Sequence, residues 1–569
     1  MPFLFAGIFL TFASFTVFWL SWGSEKPLMV IMGVDFMDLC FAGVALGVSV
    51  SVIKVIYLMA VSGIVMCTSS FSESYMSGDA HKDRMTDLVF VFVLAMFTVV
   101  SAENVFTMVL GWEGLGISSY GLIIYYQDKP ALNAGYLTSM SMRVGDLLFI
   151  IMVGVLVGVG EFSLVSGLAG MGTVLCVCCM TKSATVPFCA WLPAAMSAPT
   201  PVSALVHSST LVTAGVCFLI ESYSCIEGSV GQEILVFGSL VTMVLAGSSA
   251  LWENDLKKIV ALSTMGQVSF MVFTIGIGMP ILAFFHMLVH AFIKAGMFIS
   301  VGVLIHANMG EQDLREFDSG ILCAHPLAVG GLISGSLSLM GIPVLSGFYS
   351  KEAIVMALNS CSYSICFYTL FYLGAVLTTS YTCRLVISLG VKCKSKMVSG
   401  GVPSDCGYTD FPISFLFTLS LFGGVLFWGV AVEGSGWFGS MVLGPEFIFK
   451  VMAAAVLFGI FICEAEETGV WGSGLSGWNS DKVGFFYSMW YFGGVSGQPF
   501  VEGFKKCSDW MVPGMEYWSE QVAAKGLWDL GSVYFSGIHR PIQTNEVFIP
   551  WFFLTGTIFV CCLVGFLMG

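Results

Sequence analysis

The chain has 569 residues, of which 57% are hydrophobic and only 10% are charged, with a formal net charge of −14 and a mean hydropathy of +0.90. Soluble proteins carry about 25% charged residues, so the composition argues against a soluble enzyme, and the negative charge excludes a polybasic nucleic-acid binder. Apolar stretches long enough to cross a bilayer, about 20 residues each, recur along the chain. They predict an all-α, polytopic membrane protein of roughly 14–16 transmembrane helices.

The first apolar stretch covers residues 3–22. No basic segment precedes it and no clean cleavage site follows it, so we interpret it as a membrane span and not as a cleaved signal peptide. The next apolar segment, from about Asp38 to Ser69, carries Lys54 near its middle. Further spans or helices are expected at about 87–101, 104–126, 133–160, 162–180, 203–221, 231–251, 260–278, 281–306, 324–342, 364–390, 411–432 and 447–465.

Proline interrupts the helical pattern at two places. Residues 182–207, KSATVPFCAWLPAAMSAPTPVSALVH, contain four prolines, a lysine and a histidine, and GIPVLSGFYSKEA contains the second break. Proline breaks a helix, and broken backbone in a bilayer is tolerated only where it is buried in protein or lines a wet cavity. A lysine lies beside each break, Lys182 and Lys351, as expected for paired broken helices in inverted repeats. The two breaks therefore predict a polar path through the membrane.

Charged side chains inside apolar runs are the candidate functional residues, because each costs about 2.5–3.5 kcal/mol at the bilayer centre. Glu113 is either a proton-binding carboxylate or a carboxyl that merely bridges two helices. Lys182 has no acidic neighbour in the sequence, so its partner must lie elsewhere in the chain, with Glu113 as first choice and Asp146 as second. More peripheral positions are expected for Lys54, Glu103, Arg143 and Arg384.

His286, His290 and Lys294 are spaced four residues apart and therefore line one face of a helix. This pattern favours a proton relay. The H-x-x-x-H spacing also suits two metal ligands, but no carboxylate or third histidine accompanies it and the lysine would repel a cation, so no metal site is predicted. The pair Lys351–Glu352 either takes part in the polar path or extends to the membrane interface.

A set of motifs resembles a known family. In chain order they are GWEGLGISSYGLIIYYQDKPALNAG, RVGD, KSATVPFCAWLPAAMSAPTPVSALVHSSTLVTAGV, DLKKIVALSTMGQ, HMLVHAFIKA and GFYSKE. They closely resemble the antiporter-like subunits of respiratory complex I, NADH:ubiquinone oxidoreductase, over about residues 60–360. The C-terminal region, an amphipathic stretch before a last span, resembles the largest of these subunits, in which a lateral helix lies along the membrane arm.

The resemblance implies a role for each matching residue. Glu113 and Lys182 would be the coupled carboxylate–lysine pair at one end of the channel, with His207 next. His286, His290 and Lys294 would form the central relay, and Lys351 would serve the exit side. Asp146 matches an acidic position of the RVGD motif, and Glu352 stands where many members have aspartate, which leaves the geometry of that acidic partner open.

The resemblance also implies a domain organisation. The expected parts are N-terminal transmembrane helices (1–110), an antiporter-like proton-channel core of two inverted repeats (111–390), C-terminal transmembrane helices (391–465), an amphipathic lateral-helix region (466–545) and a final transmembrane helix (546–569).

By resemblance, the chain would be a proton-translocating subunit that couples NADH oxidation and quinone reduction to pumping. It would hold no cofactor itself, while NADH, FMN, iron–sulfur clusters and ubiquinone belong to partner subunits. Expected partners are the other membrane-arm subunits, especially the neighbouring antiporter-like chain 4, and phospholipids including cardiolipin, but no nucleic acid. The phrase YYQDKPALNAG is typical of mitochondrial members, so the mitochondrial inner membrane is the expected location.

Two alternatives remain at this point. The chain could belong to a free-standing multi-subunit cation/proton antiporter, since that class shares the central motifs. Alternatively, the buried charges could merely fix helix register in a scaffold subunit.

Overall fold

The computed structural model describes residues 51–159, 170–317, 319–361, 363–390 and 406–435, with residue 49 and short pieces between 456 and 506. The chain divides into two compact units, Met1–Gly497 and Gln498–Gly569, and every contact reported below lies within the first. The predicted spans at 3–22 and 546–569 lie outside the described residues, as does nearly all of 447–545 with the predicted lateral helix. The predicted five-part domain organisation stays a prediction.

All regular secondary structure in the described ranges is helical, so the predicted all-α, polytopic membrane fold is confirmed. Nine of the described helices are long and apolar enough to span a membrane. The main helices are α1 (Val52–Tyr75), α2 (Lys82–Ser101), α3 (Val105–Ile123), α4 (Lys129–Val159), α5 (Gly172–Lys182), α6 (Thr200–Glu221), α7 (Val230–Ala250), α8 (Leu256–Ile277), α9 (Pro280–Ala307), α10 (Pro326–Met340), α11 (Ser346–Ser360), α12 (Ile365–Gly390) and α13 (Cys406–Ser435).

The helix ends follow from local sequence. Both α9 and α10 begin with a proline, which is tolerated in the first turn because its missing N–H has no helical partner there. Both α8 and α10 end at a glycine in the left-handed region, Gly278 with φ 101° and Gly341 with φ 87°. A side chain would be strained at these positions, so glycine ends the helix.

Two predicted boundaries were wrong. Lys54 lies in the first turn of α1 and not in the middle of a span, because Ser51 caps this helix by accepting a hydrogen bond from the Lys54 backbone N–H at 3.4 Å. Helix α4 starts at Lys129, four residues before the predicted start, because Pro130 is accommodated in its first turn.

Both predicted helix breaks are present. Between α5 and α6 the chain forms short turns of helix, Trp191–Ala194 and Ala195–Ser197, and α6 itself begins with a π-helical segment, Ser203–Thr210. Between α10 and α11 five residues leave the helix at the GIPVL sequence. The breaks place Lys182 at the last residue of α5 and Lys351 in the second turn of α11.

Burial separates a core from an outer layer. The most apolar windows of α8 and α9 are 100% and 94% buried, whereas those of α2, α4 and α13 are each 33% buried. In a membrane protein the outer helices face lipid or a neighbouring subunit. The helices that carry the predicted relay are therefore the ones that are enclosed by protein.

Candidate functional site

Lys182 is completely buried at the end of α5. Its ammonium group donates a hydrogen bond of 2.6 Å to the backbone carbonyl oxygen of Trp112 on α3. The same nitrogen lies 3.8 Å from the centre of the Trp112 ring, a cation–π contact. Among the described residues Lys182 forms no ion pair, so a carbonyl group and an aromatic face hold this cation.

The two carboxylates predicted as partners of Lys182 are instead joined by Arg143. Arg143 Nη1 lies 2.8 Å from Glu113 Oε2 and 3.4 Å from Asp146 Oδ2. Asp146 also accepts a hydrogen bond of 3.0 Å from the indole N–H of Trp112. The first centre is therefore a connected series of side chains: Glu113, Arg143, Asp146, Trp112 and Lys182.

The expected direct pairing of Glu113 with Lys182 is wrong in this structure, and the reason is helical geometry. Trp112 and Glu113 are consecutive on α3, so their side chains point about 100° apart. Trp112 faces the interior, where it is 1% exposed, and Glu113 turns towards α4, where its side chain is 27% exposed. Arg143 was expected to be peripheral, although its i,i+3 spacing to Asp146 is a signal for contact.

His207 lies in the π-helical segment of α6 and is completely buried. Neither ring nitrogen has a hydrogen-bond partner among the described residues, and the Trp191 ring lies 6.1 Å away between centroids. Single π-helical turns are rare and occur frequently at functional sites. The segment packs against α8 and α9, so His207 lies between the first break and the central helices.

The predicted stripe on α9 is buried along its whole length. The rings of His286 and His290 lie 6.2 Å apart between centroids, and His286 Nδ1 lies 2.9 Å from the hydroxyl of Ser350. His290 has no hydrogen-bond partner at either ring nitrogen among the described residues. One turn further, the Lys294 ammonium group donates to the Ser263 hydroxyl on α8 and lies 3.4 Å from the Val260 carbonyl oxygen.

Lys351 turns towards the protein interior. Its ammonium group donates to the Leu339 carbonyl oxygen at the end of α10 and lies 3.4 Å from the Thr378 hydroxyl on α12. A cavity of about 50 Å³ adjoins it, with room for more than one water molecule. Glu352 lines the same cavity but forms no ion pair with Lys351 within the described residues. These inward contacts argue against a lysine that extends to the membrane interface.

No group of three or more histidine, cysteine or acidic side chains in the described ranges has the arrangement of a metal site. The candidate site instead consists of two centres and a relay. The first centre surrounds Lys182, the relay runs from His207 to the α9 stripe, and the second centre surrounds Lys351.

Comparison with known proteins places this chain in a family. Residues 102–378 match the transmembrane model described as NADH:quinone oxidoreductase/Mrp antiporter. The chain is 35% identical over 508 residues to NADH-ubiquinone oxidoreductase chain 5 of Mytilus edulis, with 87% of each chain covered. The chain belongs to the chain 5 family of NADH-ubiquinone oxidoreductase. The Aedes aegypti member is 40% identical over 365 residues, with 62% of each chain covered.

A solved structure extends the likeness to the fold. A chain in the Mrp complex of Dietzia sp. DQ12-45-1b superposes with a TM-score of 0.71 at 21% identity, covering 97% of this chain. This chain spans 62% of the length of that one. At such identity the likeness concerns the fold alone. The matched family region, 102–378, includes every site residue described above, from Trp112 to Thr378.

Proposed function

We propose that this chain moves protons across a membrane as a membrane-arm subunit of NADH:ubiquinone oxidoreductase. The observation that carries the proposal is the series of three lysines, Lys182, Lys294 and Lys351, none of which forms an ion pair among the described residues. A cation is expensive inside a membrane, and unpaired intramembrane lysines mark proton or ion pathways. Two of the three lie directly beside helix breaks.

The first centre would act as the coupling element. Arg143 contacts both Glu113 and Asp146, so a shift of Arg143 towards one carboxylate leaves the other with more uncompensated negative charge. Asp146 accepts a hydrogen bond from the Trp112 indole, and the ring face and backbone carbonyl group of Trp112 contact Lys182. A change in charge at Asp146 would therefore change how firmly Lys182 holds its proton. Redox energy released in partner subunits would drive the shift of Arg143.

The relay would then carry the proton from the first centre to the second. Within the part of the chain that the structure describes, neither ring nitrogen of His207 or His290 has a hydrogen-bond partner, so each neutral imidazole has one nitrogen to donate and one to accept. Lys294 and the hydrogen-bonded pair His286–Ser350 continue the series along α9 to Lys351. From Lys351 the proton would leave through the adjoining cavity, past Glu352.

The location and partners follow from the family name. We propose that the chain resides in the mitochondrial inner membrane, beside the antiporter-like chain 4 and other membrane-arm subunits, with cardiolipin among its lipids. Its exposed outer helices α2, α4 and α13 offer the apolar surface that such neighbours need. The NADH, FMN, iron–sulfur and ubiquinone chemistry is assigned to partner subunits.

Gentle detergent extraction followed by native electrophoresis and an NADH-oxidation stain tests this proposal. A large assembly that contains the chain and oxidises NADH is the expected result. A small assembly that does not stain would contradict it.

The alternative is a subunit of a free-standing cation/proton antiporter. The fold likeness to the Mrp complex chain is the observation that favours it. Sodium-driven proton exchange in vesicles that contain the small, non-staining assembly would establish this alternative.

A further inference from the structure

Two buried polar side chains next to the relay have no assigned role. Gln267 on α8 is 0% exposed and Tyr381 on α12 is 3% exposed. Within the described residues, neither the Gln267 amide group nor the Tyr381 hydroxyl closes a hydrogen bond with protein. Buried polar groups are nearly always satisfied, and those without a protein partner are the usual binding sites of ordered water.

Both side chains lie close to Ser263, the hydroxyl partner of Lys294. Ser263, which accepts a hydrogen bond from Lys294, lies one turn before Gln267 on the same face of α8. Tyr381 packs in one buried cluster with Leu262 and Met265 of α8, so its hydroxyl lies near Gln267 and Ser263 on that helix. Lys294 therefore has a polar neighbourhood on α8 and α12 in addition to the histidines of its own helix.

The same helix that carries Tyr381 also reaches Lys351. Thr378 lies three residues before Tyr381 on α12, and its hydroxyl is 3.4 Å from the Lys351 ammonium nitrogen. Helix α12 thus presents polar groups near both lysines. A second series of polar side chains therefore joins the two lysines and contains no histidine. In order, it consists of Lys294, Ser263, Gln267 with Tyr381, Thr378 and Lys351.

The chemistry of this second series differs from that of the histidine stripe. A proton that rests on His290 or His286 creates an imidazolium in a buried apolar environment, which is costly. A hydroxyl group accepts one proton while donating another, so it passes a proton on without holding net charge. The Gln267 amide offers both a donor and an acceptor, which would orient the Tyr381 hydroxyl and any water between them.

We propose that Tyr381 and Gln267 form a second proton branch between Lys294 and Lys351, parallel to the histidine stripe; the inference rests on the proposed function. The Lys294 ammonium group gives a proton to the Ser263 hydroxyl, which turns from the Val260 carbonyl oxygen and passes its own proton to the Tyr381 oxygen, directly or through a water. Tyr381 releases its own proton to the Thr378 hydroxyl, which turns from the Ala375 carbonyl oxygen and gives its proton to a neutral Lys351 amine. One N–H bond is broken and one is formed, and no redox partner is needed. Tyr381 carries the proton, and Gln267 is a positioning residue.

The test uses membranes that contain the assembled complex and measures protons translocated per NADH oxidised. Tyr381→Phe removes one oxygen and keeps the ring, and Gln267→Leu removes the amide with little change in volume. Each is expected to lower the proton yield partly, and Tyr381→Phe combined with His290→Ala is expected to abolish the contribution of this chain. The solvent deuterium isotope effect on coupled turnover should rise in Tyr381→Phe, which a purely structural role would not produce.

The matched control is Tyr368→Phe, on the same helix, whose hydroxyl donates to the backbone carbonyl groups of Leu358 and Cys361. It should leave the proton yield unchanged. The second branch is refuted if Tyr381→Phe leaves the proton yield unchanged in the wild-type background and also lowers it no further in the His290→Ala background. Lys294→Met distinguishes failure of the proposed function from failure of the second branch. Normal pumping in Lys294→Met would overturn the proposed function. Lost pumping in Lys294→Met together with an unchanged proton yield in Tyr381→Phe would overturn only the branch. Should Tyr381→Phe fail to assemble, Gln267→Leu decides by the same criteria.

Discussion

Lys182 and Trp112 form the central contact of the first centre, with the lysine nitrogen 3.8 Å from the ring centre and 2.6 Å from the Trp112 carbonyl oxygen. The indole N–H of the same residue donates to Asp146 at 3.0 Å. Trp112 therefore contacts both the buried cation and the carboxylate. A change at either charged group is expected to reach the other through this residue.

Substitutions of Trp112 should distinguish the effect of its hydrogen bond to Asp146 from that of its cation–π contact with Lys182. Trp112→Phe keeps an aromatic face for Lys182 and removes the hydrogen bond to Asp146, which for a charged acceptor is worth about 1.5–3 kcal/mol. Trp112→Leu removes the cation–π contact as well, worth about 0.5–2 kcal/mol. We expect the proton yield per NADH to fall in the first variant and to fall further in the second. Equal yields in both variants would contradict a role for the aromatic face.

Arg143 should prove essential for coupling although it is partly exposed. Arg143→Gln leaves Glu113 and Asp146 without their shared cation, so pumping should fall while the complex still assembles. Arg143→Lys should restore only part of the activity, because lysine keeps the charge but its shorter side chain does not place a nitrogen where Arg143 Nη1 contacts both carboxylates. Normal pumping in Arg143→Gln would show that this ion pair is not part of the coupling element.

The ion pair between Lys54 and Glu221 should stabilise the packing of two helices without taking part in proton transfer. Lys54 Nζ lies 3.1 Å from Glu221 Oε1, 2.7 Å from the Ser49 hydroxyl and 2.9 Å from the Ala102 carbonyl oxygen, so it joins the start of α1 to the end of α6. Glu221→Lys should reduce stability by about 1.5–3 kcal/mol, because it removes a charge-assisted hydrogen bond from this partly buried pair and brings two cations together.

The charge exchange Lys54→Glu with Glu221→Lys should recover part of this loss, because it restores the pair but not the bond to Ala102. Thermal denaturation of the purified complex measures both variants. If the double variant is no more stable than Glu221→Lys, the ion pair does not stabilise the packing of these helices.

Two glycines on α4 offer a matched comparison. A Cβ atom at Gly145 would collide with the Thr181 hydroxyl, next to Lys182, whereas a Cβ atom at Gly154 would meet nothing within 4 Å. Gly145→Ala should push α4 away from α5 and reduce pumping and assembly. Gly154→Ala should be neutral or slightly stabilising, since alanine favours helix by about 1 kcal/mol over glycine. Assembled complex per unit membrane protein is the measurement, and equal yields for the two variants would contradict the close packing of α4 on α5.

The sequence predicted the helices, the two breaks and the α9 stripe well, because these depend on local patterns. Apolar run length determines spans, prolines determine breaks, and four-residue spacing puts His286, His290 and Lys294 on one face. It also assigned Lys182 to the first break, where the structure places it.

Local sequence patterns could not predict the contacts between helices. Which of two neighbouring side chains on α3 faces inwards depends on how α3 packs on α4 and α5, so the pairing of Glu113 with Arg143 was missed. The Glu221 partner of Lys54 and the Gln267–Tyr381 contact each join residues more than 100 apart in the chain. The amino-acid composition around His207 does not distinguish the π-helical segment from an ordinary α-helix.

The most direct test of the central claim is the number of protons translocated per NADH oxidised in sealed vesicles that carry Lys182→Met. Methionine preserves most of the side-chain volume and removes the charge. The exposed Lys82→Met, at the start of α2, is the matched control and should pump normally. We predict that Lys182→Met still assembles and oxidises NADH but translocates fewer protons per NADH. An unchanged proton yield in Lys182→Met would contradict the proposed proton path.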